Sequence, residues 1–271
     1  MNKNEKFPLR FFFLTFIWSW SLWISVAFSI GQNADLTIES APPLVIIAMV
    51  VGAFGPAIGA ILSIATIEGK GAIIPFIKRF FDMRFGLAAW IVPFFVLFAA
   101  TFAAWIIPEL FGLPRLKMLL PSIAIFPVYW LAMIFFGGGQ EEIGWRGYIM
   151  PFLEKRFGVL YGTVILSLVW AFWHLPLWFI PGSSQTYINF GGFVMLTTGY
   201  SFLFSWGIKK AGNRPMSGLV MHGTANAFVP VFPVLVLNHN VSQPRYWIWV
   251  SLMLVCGITL YLFSKHNKDS E

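Results

Sequence analysis

Charge is what this 271-residue sequence has least of, since only 11% of its residues are Asp, Glu, Lys or Arg. A soluble domain carries about 25%. With 58% hydrophobic residues and a mean hydropathy of +0.76, the composition excludes a water-soluble globular chain and implies a polytopic membrane protein. Once the apolar runs are counted, no length remains for a large soluble domain. Cysteine is almost absent too. Cys256 stands alone inside the last apolar run, which excludes an intramolecular disulfide and a thiolate metal cluster, and it reads as a packing residue. Three motifs of hydrolytic chemistry are also missing. There is no His-Glu-x-x-His metal motif, no Gly-x-Ser-x-Gly nucleophile elbow, and no pair of aspartates within the apolar runs. The first apolar run, Phe11 to Ile30, lacks a small-residue cleavage site and is long enough to span, so no cleavable signal is expected. Neither internal repeats nor low-complexity tracts occur.

What is present is apolar length. Eight segments of about twenty residues are expected as spans, at roughly 11–31, 43–67, 86–108, 120–140, 159–180, 188–208, 215–238 and 245–264. The expected fold is therefore all-α: a single integral membrane domain over residues 1–271, a polytopic bundle of about eight transmembrane helices. The net charge of +7 invites a nucleic-acid reading, but the basic residues sit in loops beside apolar spans, and no nucleic-acid partner is expected. Alternating the loops puts fourteen Lys and Arg on one side: Lys3, Lys6, Arg10, Lys70, Lys78, Arg79, Arg84, Lys155, Arg156, Lys209, Lys210, Arg214, Lys265 and Lys268. The other side carries Arg115, Lys117 and Arg245. Lys and Arg mark the cytoplasmic face, so a multi-pass protein of the cell membrane with both termini cytoplasmic is expected. Between the second and third spans, residues 68–85 mix Lys78, Arg79 and Arg84 with Ile73, Ile74, Phe76, Ile77, Phe80 and Phe81, the pattern of an amphipathic segment on the inner membrane surface. In the second span, Gly52, Gly55, Pro56 and Gly59 read as a helix-packing face.

Against this background one stretch stands out, Glu141-Glu142-Ile143-Gly144-Trp145-Arg146, which follows the almost wholly apolar run from Leu120 to Phe136. Ionised side chains in a bilayer cost about 2.5–3.5 kcal/mol each on insertion scales and face a protein interior or a water cavity. Glu142 and Arg146 are four apart, on one helical face, and can neutralise each other. Glu141 points about 100° away, toward another partner.

Two histidines fall in apolar runs, His174 and His222; His239 and His266 read as solvated. A hairpin tip at Glu154–Gly158, with Gly158 ending the first helix, leaves Glu141 and His174 equally far in sequence from the turn. The pair then stands at one height across an antiparallel hairpin. His222 follows Pro215, a helix-opening residue, by seven positions, which is about 10 Å along a helix. Asn226 lies one turn further on the same face. The run Gly137-Gly138-Gly139 is suited to breaking the helix just before the carboxylates and admitting a substrate. The chemistry is thus concentrated on helices at about 120–156, 159–180 and 215–238, on the cytoplasmic side by this count.

A carboxylate beside an imidazole can bind and deprotonate water. A second imidazole and an amide can hold the oxyanion of a tetrahedral intermediate. Together they permit peptide-bond hydrolysis. Glu141, His174 and His222 can alternatively hold zinc with one open position, and the residues alone leave these two open.

The pattern Glu141-Glu142-x-x-x-Arg146, an aromatic-x-x-x-His ending at His174, and His222-x-x-x-Asn226 resembles the CPBP intramembrane proteases. That group includes the type II CAAX prenyl proteases and bacterial Abi-type proteins. The resemblance covers about a third of the chain, Glu141 to Asn226. It implies Glu141 as the water-activating base assisted by His174, His222 and Asn226 lining an oxyanion site, and Glu142 and Arg146 in support. Trp170 stands where the family usually has Phe. Family members have been described both as metalloproteases and as metal-independent glutamate proteases. With two good imidazole ligands, this chain is expected to need no cofactor, zinc being the alternative. The expected partners are the lipid bilayer and a membrane-associated peptide or protein substrate, prenylated or bacteriocin-like. The competing reading is a non-catalytic membrane protein, either a transporter relaying protons through Glu141 and His174 or an immunity scaffold binding a peptide toxin.

Overall fold

A computed structural model describes residues 7–31 and 40–266, with the side chains from 264 onward excepted. Lys3, Lys6 and Lys268, and the side chains of Lys265 and His266, therefore lie outside the described residues. Among these residues the regular elements are all helical. In order they are α1 (Leu9–Gly31), α2 (Pro43–Gly52), α3 (Gly55–Ile67), α4 (Ile73–Lys78), α5 (Leu87–Ile106), α6 (Phe126–Phe136), α7 (Glu142–Gly144), α8 (Met150–Trp173), α9 (Phe190–Lys210), α10 (Met216–Phe228) and α11 (Pro244–His266).

Apolar side chains cover the outside of the bundle as well as its core. Phe13, Ile17 and Phe28 on α1, Phe95 on α5 and Val255 on α11 are exposed, the exterior a bilayer requires of a helical membrane protein. Four described stretches are long and apolar enough to cross a membrane: Leu9–Gly31, Leu87–Phe111, Ile123–Phe179 and Pro244–Phe263. The α2–α3 pair, bent by 52°, makes a fifth if it is one span. The expected count of eight is not confirmed, for two reasons. The runs at 120–140 and 215–238 fold as α6 and α10, of 11 and 13 residues, followed by irregular backbone. The stretch Ile123–Phe179 reverses inside α8 at Gly158 (φ 78°), a conformation glycine adopts without a Cβ clash.

The small residues of the second span do form a packing face. Gly55 and Gly59 lie against Ser19 and Thr15 of α1, and Ser19 Oγ donates to the Gly52 carbonyl at 2.7 Å. At the other side of the bundle α9 meets α11 where Gly199 and Gly257 bring the two backbones together. α10 is buried along its whole length except at Asn226.

Contacts among the loops define the two ends of the bundle. At one end Arg214 pairs with Asp82 (3.0 Å), Lys209 with Glu154 (3.2 Å), and Phe7 meets Phe152 (5.7 Å between ring centres). Hydrogen bonds from Arg84, side chain first and then backbone, hold the Asp82 carboxyl well below the usual carboxylate range. The segment at 68–85 closes this end. Its Phe76 and Phe80 are buried, while Ile74 and Phe81 are exposed. At the opposite end Arg245 donates to the carbonyls of Trp105 (3.0 Å) and Pro114 (2.9 Å). There too the Leu119 amide donates to the Pro230 carbonyl at 2.8 Å, and Tyr187 stacks on His239 at 4.5 Å.

Candidate active site

The site begins where α6 stops. Past Phe136 the chain turns through Gly138 at φ 122°, and the Gly138 amide donates to Gln140 Oε1 at 2.9 Å. A short 3-10 turn, Gly139–Glu141, then leads into α7 and a π-helical turn, Trp145–Ile149. Single π turns occur frequently at functional sites.

Glu142 is fully buried and acts as the hub. Its Oε1 accepts from Arg146 Nη1 and from His222 Nδ1, both at 2.8 Å. Arg146 Nη2 donates to Ser201 Oγ at 2.9 Å, and the guanidinium lies 4.7 Å from the Trp170 ring centre and 5.3 Å from that of Phe204. A buried charge kept this way is paired and hydrogen-bonded, which its position in the membrane interior demands.

Glu141, the neighbouring carboxylate, faces elsewhere: its Oε2 accepts from Trp170 Nε1 at 2.8 Å. His174 Nδ1 donates to the Trp170 carbonyl at 2.9 Å, so its Nε2 carries the lone pair when the ring is neutral. Asn226 Nδ2 donates to the Gly137 carbonyl at 2.7 Å. This ties the amide to the end of α6 and leaves its second N–H for another acceptor.

Glu141, His174, His222 and Asn226 all line one cavity of about 410 Å³. Glu142 and Arg146 are not on that wall. Glu142 lies behind His222, and Arg146 reaches instead a second cavity of about 530 Å³ at the Lys/Arg-rich end. The hairpin arithmetic needs one adjustment. The chain does reverse at Gly158, and Gly162 packs back on Leu153. The carboxylate of Glu141, however, meets Trp170, one turn short of His174. The 3-10 and π turns between residues 139 and 149 break the equal rise per residue on which the count rested.

Three contributors were not singled out from sequence: the Trp170 N–H, Ser201 and Tyr200. Trp170 was noted for its aromatic bulk, whereas its N–H is what reaches Glu141. Ser201 and the cavity-lining Tyr200 lie in a helix rich in Ser, Thr and Gly, a signal that α9 is enclosed by protein. Gly138, read from sequence as part of a helix-breaking run, also shapes the site. A methyl group there would stand 2.6 Å from His222 Nε2 and closer still to Asn226 Nδ2, so both side chains point into the space above this glycine. Gly138→Ala is therefore expected to abolish cleavage and to destabilise the fold by about 1–3 kcal/mol from backbone strain. Gly86→Ala, at an ordinary φ with open space around it, is the control. Thermal unfolding in detergent and a cleavage assay check both.

Among the described residues no group of three His, Cys, Asp or Glu side chains is placed to hold a metal ion. Glu141, His174 and His222 are not placed as such a ligand set.

Comparison with known proteins matches this region. Residues 122–228 fit the family model "Type II CAAX prenyl endopeptidase Rce1-like". A protein of Methanococcus maripaludis named CAAX prenyl protease 2 is 25% identical over 192 residues, 68% of each chain. The matched segment runs from the start of α6 to the end of α10 and holds every side chain of the cluster. Through it the chain is similar to the Rce1-like type II CAAX prenyl endopeptidases, a likeness that supports reading it as a protease.

Proposed function

We propose that this protein hydrolyses a peptide bond of a membrane-associated peptide or protein with water activated by Glu141 and His174. The observation that carries the reading is the convergence of Glu141, His174, His222 and Asn226 on one cavity inside an apolar bundle. The Glu141 carboxylate takes a proton from water while its other oxygen keeps the Trp170 bond, and the hydroxide adds to the substrate carbonyl carbon. His174, whose Nδ1 is fixed by the Trp170 carbonyl, offers Nε2 to orient that water. His222 Nε2 and the second N–H of Asn226 hold the oxyanion above Gly138. Collapse of the intermediate breaks the C–N bond, and the proton on Glu141 passes to the leaving nitrogen.

The donor role of His222 requires a proton on each ring nitrogen, Nδ1–H toward Glu142 at 2.8 Å and Nε2–H toward the oxyanion. No step runs through zinc. The Lys/Arg bias of the loops supports both termini on the cytoplasmic side.

Mapping of membrane-protein termini in cells with the native chain and with Glu141→Ala at matched expression tests the reading. Termini present in the first and lost in the second are expected, and they name the substrate. The same cleavage in purified membranes is expected to persist with a chelator. Loss restored by zinc would show instead a metal mechanism.

A further inference from the structure

We propose that the catalytic cavity takes its substrate from the non-cytoplasmic face of the membrane, as an uncharged stretch of a membrane-anchored or exported peptide cut internally. This rests on the hydrolytic reading above and replaces the cytoplasmic side expected from sequence. The mouth decides it. Besides the catalytic side chains, the cavity is lined by Leu119, Ser184, Gln185, Ile188, Leu235 and Tyr246. Leu119 belongs to the connection between α5 and α6, Ser184–Ile188 to that between α8 and α9, and Leu235 to that between α10 and α11. These three connections meet at the end of the bundle where Arg245 holds Trp105 and Pro114 and where Leu119 bonds Pro230.

That end is poor in Lys and Arg. Of its three, the Arg245 guanidinium is spent on backbone carbonyls and Arg115 pairs with Glu109 at 2.8 Å. The other end carries Lys70, Lys78, Arg79, Arg84, Lys155, Arg156, Lys209, Lys210 and Arg214. The excess of Lys and Arg faces the cytoplasm, so the mouth faces away from it. The cavity at the basic end does not offer a second way in. It is lined by Arg79, Lys155 and Lys209 and reaches Arg146, but none of Glu141, His174, His222 or Asn226.

Along the helices His222 stands midway, seven residues past Pro215 and eight before Pro230, while Asn226 and His174 lie toward the mouth. Asn226 lies eleven residues past Pro215, about 16 Å along a helix, but only four before Pro230 at the opposite end. His174 is sixteen residues past the Gly158 turn and ten before Ser184. Among the described residues the lining of the catalytic cavity includes no Lys or Arg to neutralise a free terminal carboxylate. An internal, uncharged segment is what such a wall accommodates.

Two measurements test this. In a Cys256→Ser background, Ser184→Cys and Leu119→Cys report the mouth, while Arg156→Cys and Lys210→Cys report the basic end. A membrane-impermeant maleimide is expected to label the first two in intact cells and the last two only after permeabilisation. The reverse pattern would overturn the proposal, and two positions at each end guard against a variant that misfolds. The second measurement locates the cuts lost in Glu141→Ala cells. Cuts in outward-facing segments, away from the substrate's C-terminus, support the proposal. Cuts in cytoplasmic tails refute it even with the expected labelling. If no cut depends on Glu141, the hydrolytic reading falls and the substrate claim with it, while the labelling alone still decides which way the cavity opens.

Discussion

Glu141→Gln is expected to lower the rate of peptide-bond cleavage by about 10²–10⁴-fold, the usual contribution of a positioned general base, while leaving the protein folded. The amide keeps a carbonyl oxygen for Trp170 Nε1, so the 2.8 Å contact survives and the cavity wall is unchanged. What is lost is the ability to hold a proton taken from water. The check is a paired measurement on purified protein: the rate at which the Glu141-dependent product forms, and the thermal unfolding of native and variant chains. A variant that folds like the native chain and cuts at the native rate would show that Glu141 is not the base. A variant that unfolds at a much lower temperature would show that its carboxylate serves structure instead.

The carboxylate next to it behaves in the opposite way. Glu142→Gln is expected to cost about 3–5 kcal/mol of stability, the penalty for breaking a buried ion pair from one side. Arg146 would keep its charge in the bundle interior with Ser201 and two aromatic rings for company. Unfolding in denaturant at fixed detergent concentration measures the loss. Replacing both, Glu142→Gln with Arg146→Leu, should return much of it, because no uncompensated charge remains. Activity should not return, because the His222 Nδ1 then lacks its anionic acceptor. Full activity in the double variant would remove Glu142 from the account of how His222 is oriented.

The comparison between sequence and structure is instructive where it fails. Scarcity of charge marked the chain as a membrane protein, and the spacings within Glu141–Arg146 and His222–Asn226, with the hairpin count to His174, picked out Glu141, His174, His222 and Asn226, which line one cavity, and the pair Glu142 and Arg146, which does not. The reversal at Gly158 was legible because glycine tolerates its φ. The count of spans was not, because hydropathy registers apolar composition and is blind to where the backbone stops being helical. The run around residue 130 is apolar throughout, and α6 ends at Phe136 where the Gly137–Gly139 run was expected to break it, but it begins only at Phe126 and so is too short for a span. The donor to Glu141 was hidden for a related reason. Which side chain reaches which carboxylate depends on the direction set by the irregular turns at 139–149, and periodicity supplies that direction only for regular helix. The facing of the cavity mouth needed three-dimensional contacts between loops far apart in the sequence, Leu119 with Pro230 among them.

The shortness of α6 bears on how the chain is made. Eleven residues rise about 16 Å, roughly half the hydrocarbon thickness, and the segment that follows carries two carboxylates and a guanidinium. Such a stretch is a poor substrate for insertion by itself. It needs α8 to complete the hairpin, α9 to supply Ser201, and α10 to bring His222 to Glu142. The last of these partners is synthesised some eighty residues after the charges it satisfies. Through that interval the nascent chain holds an incompletely neutralised cluster at the translocation machinery, so biogenesis of the whole enzyme waits on α10.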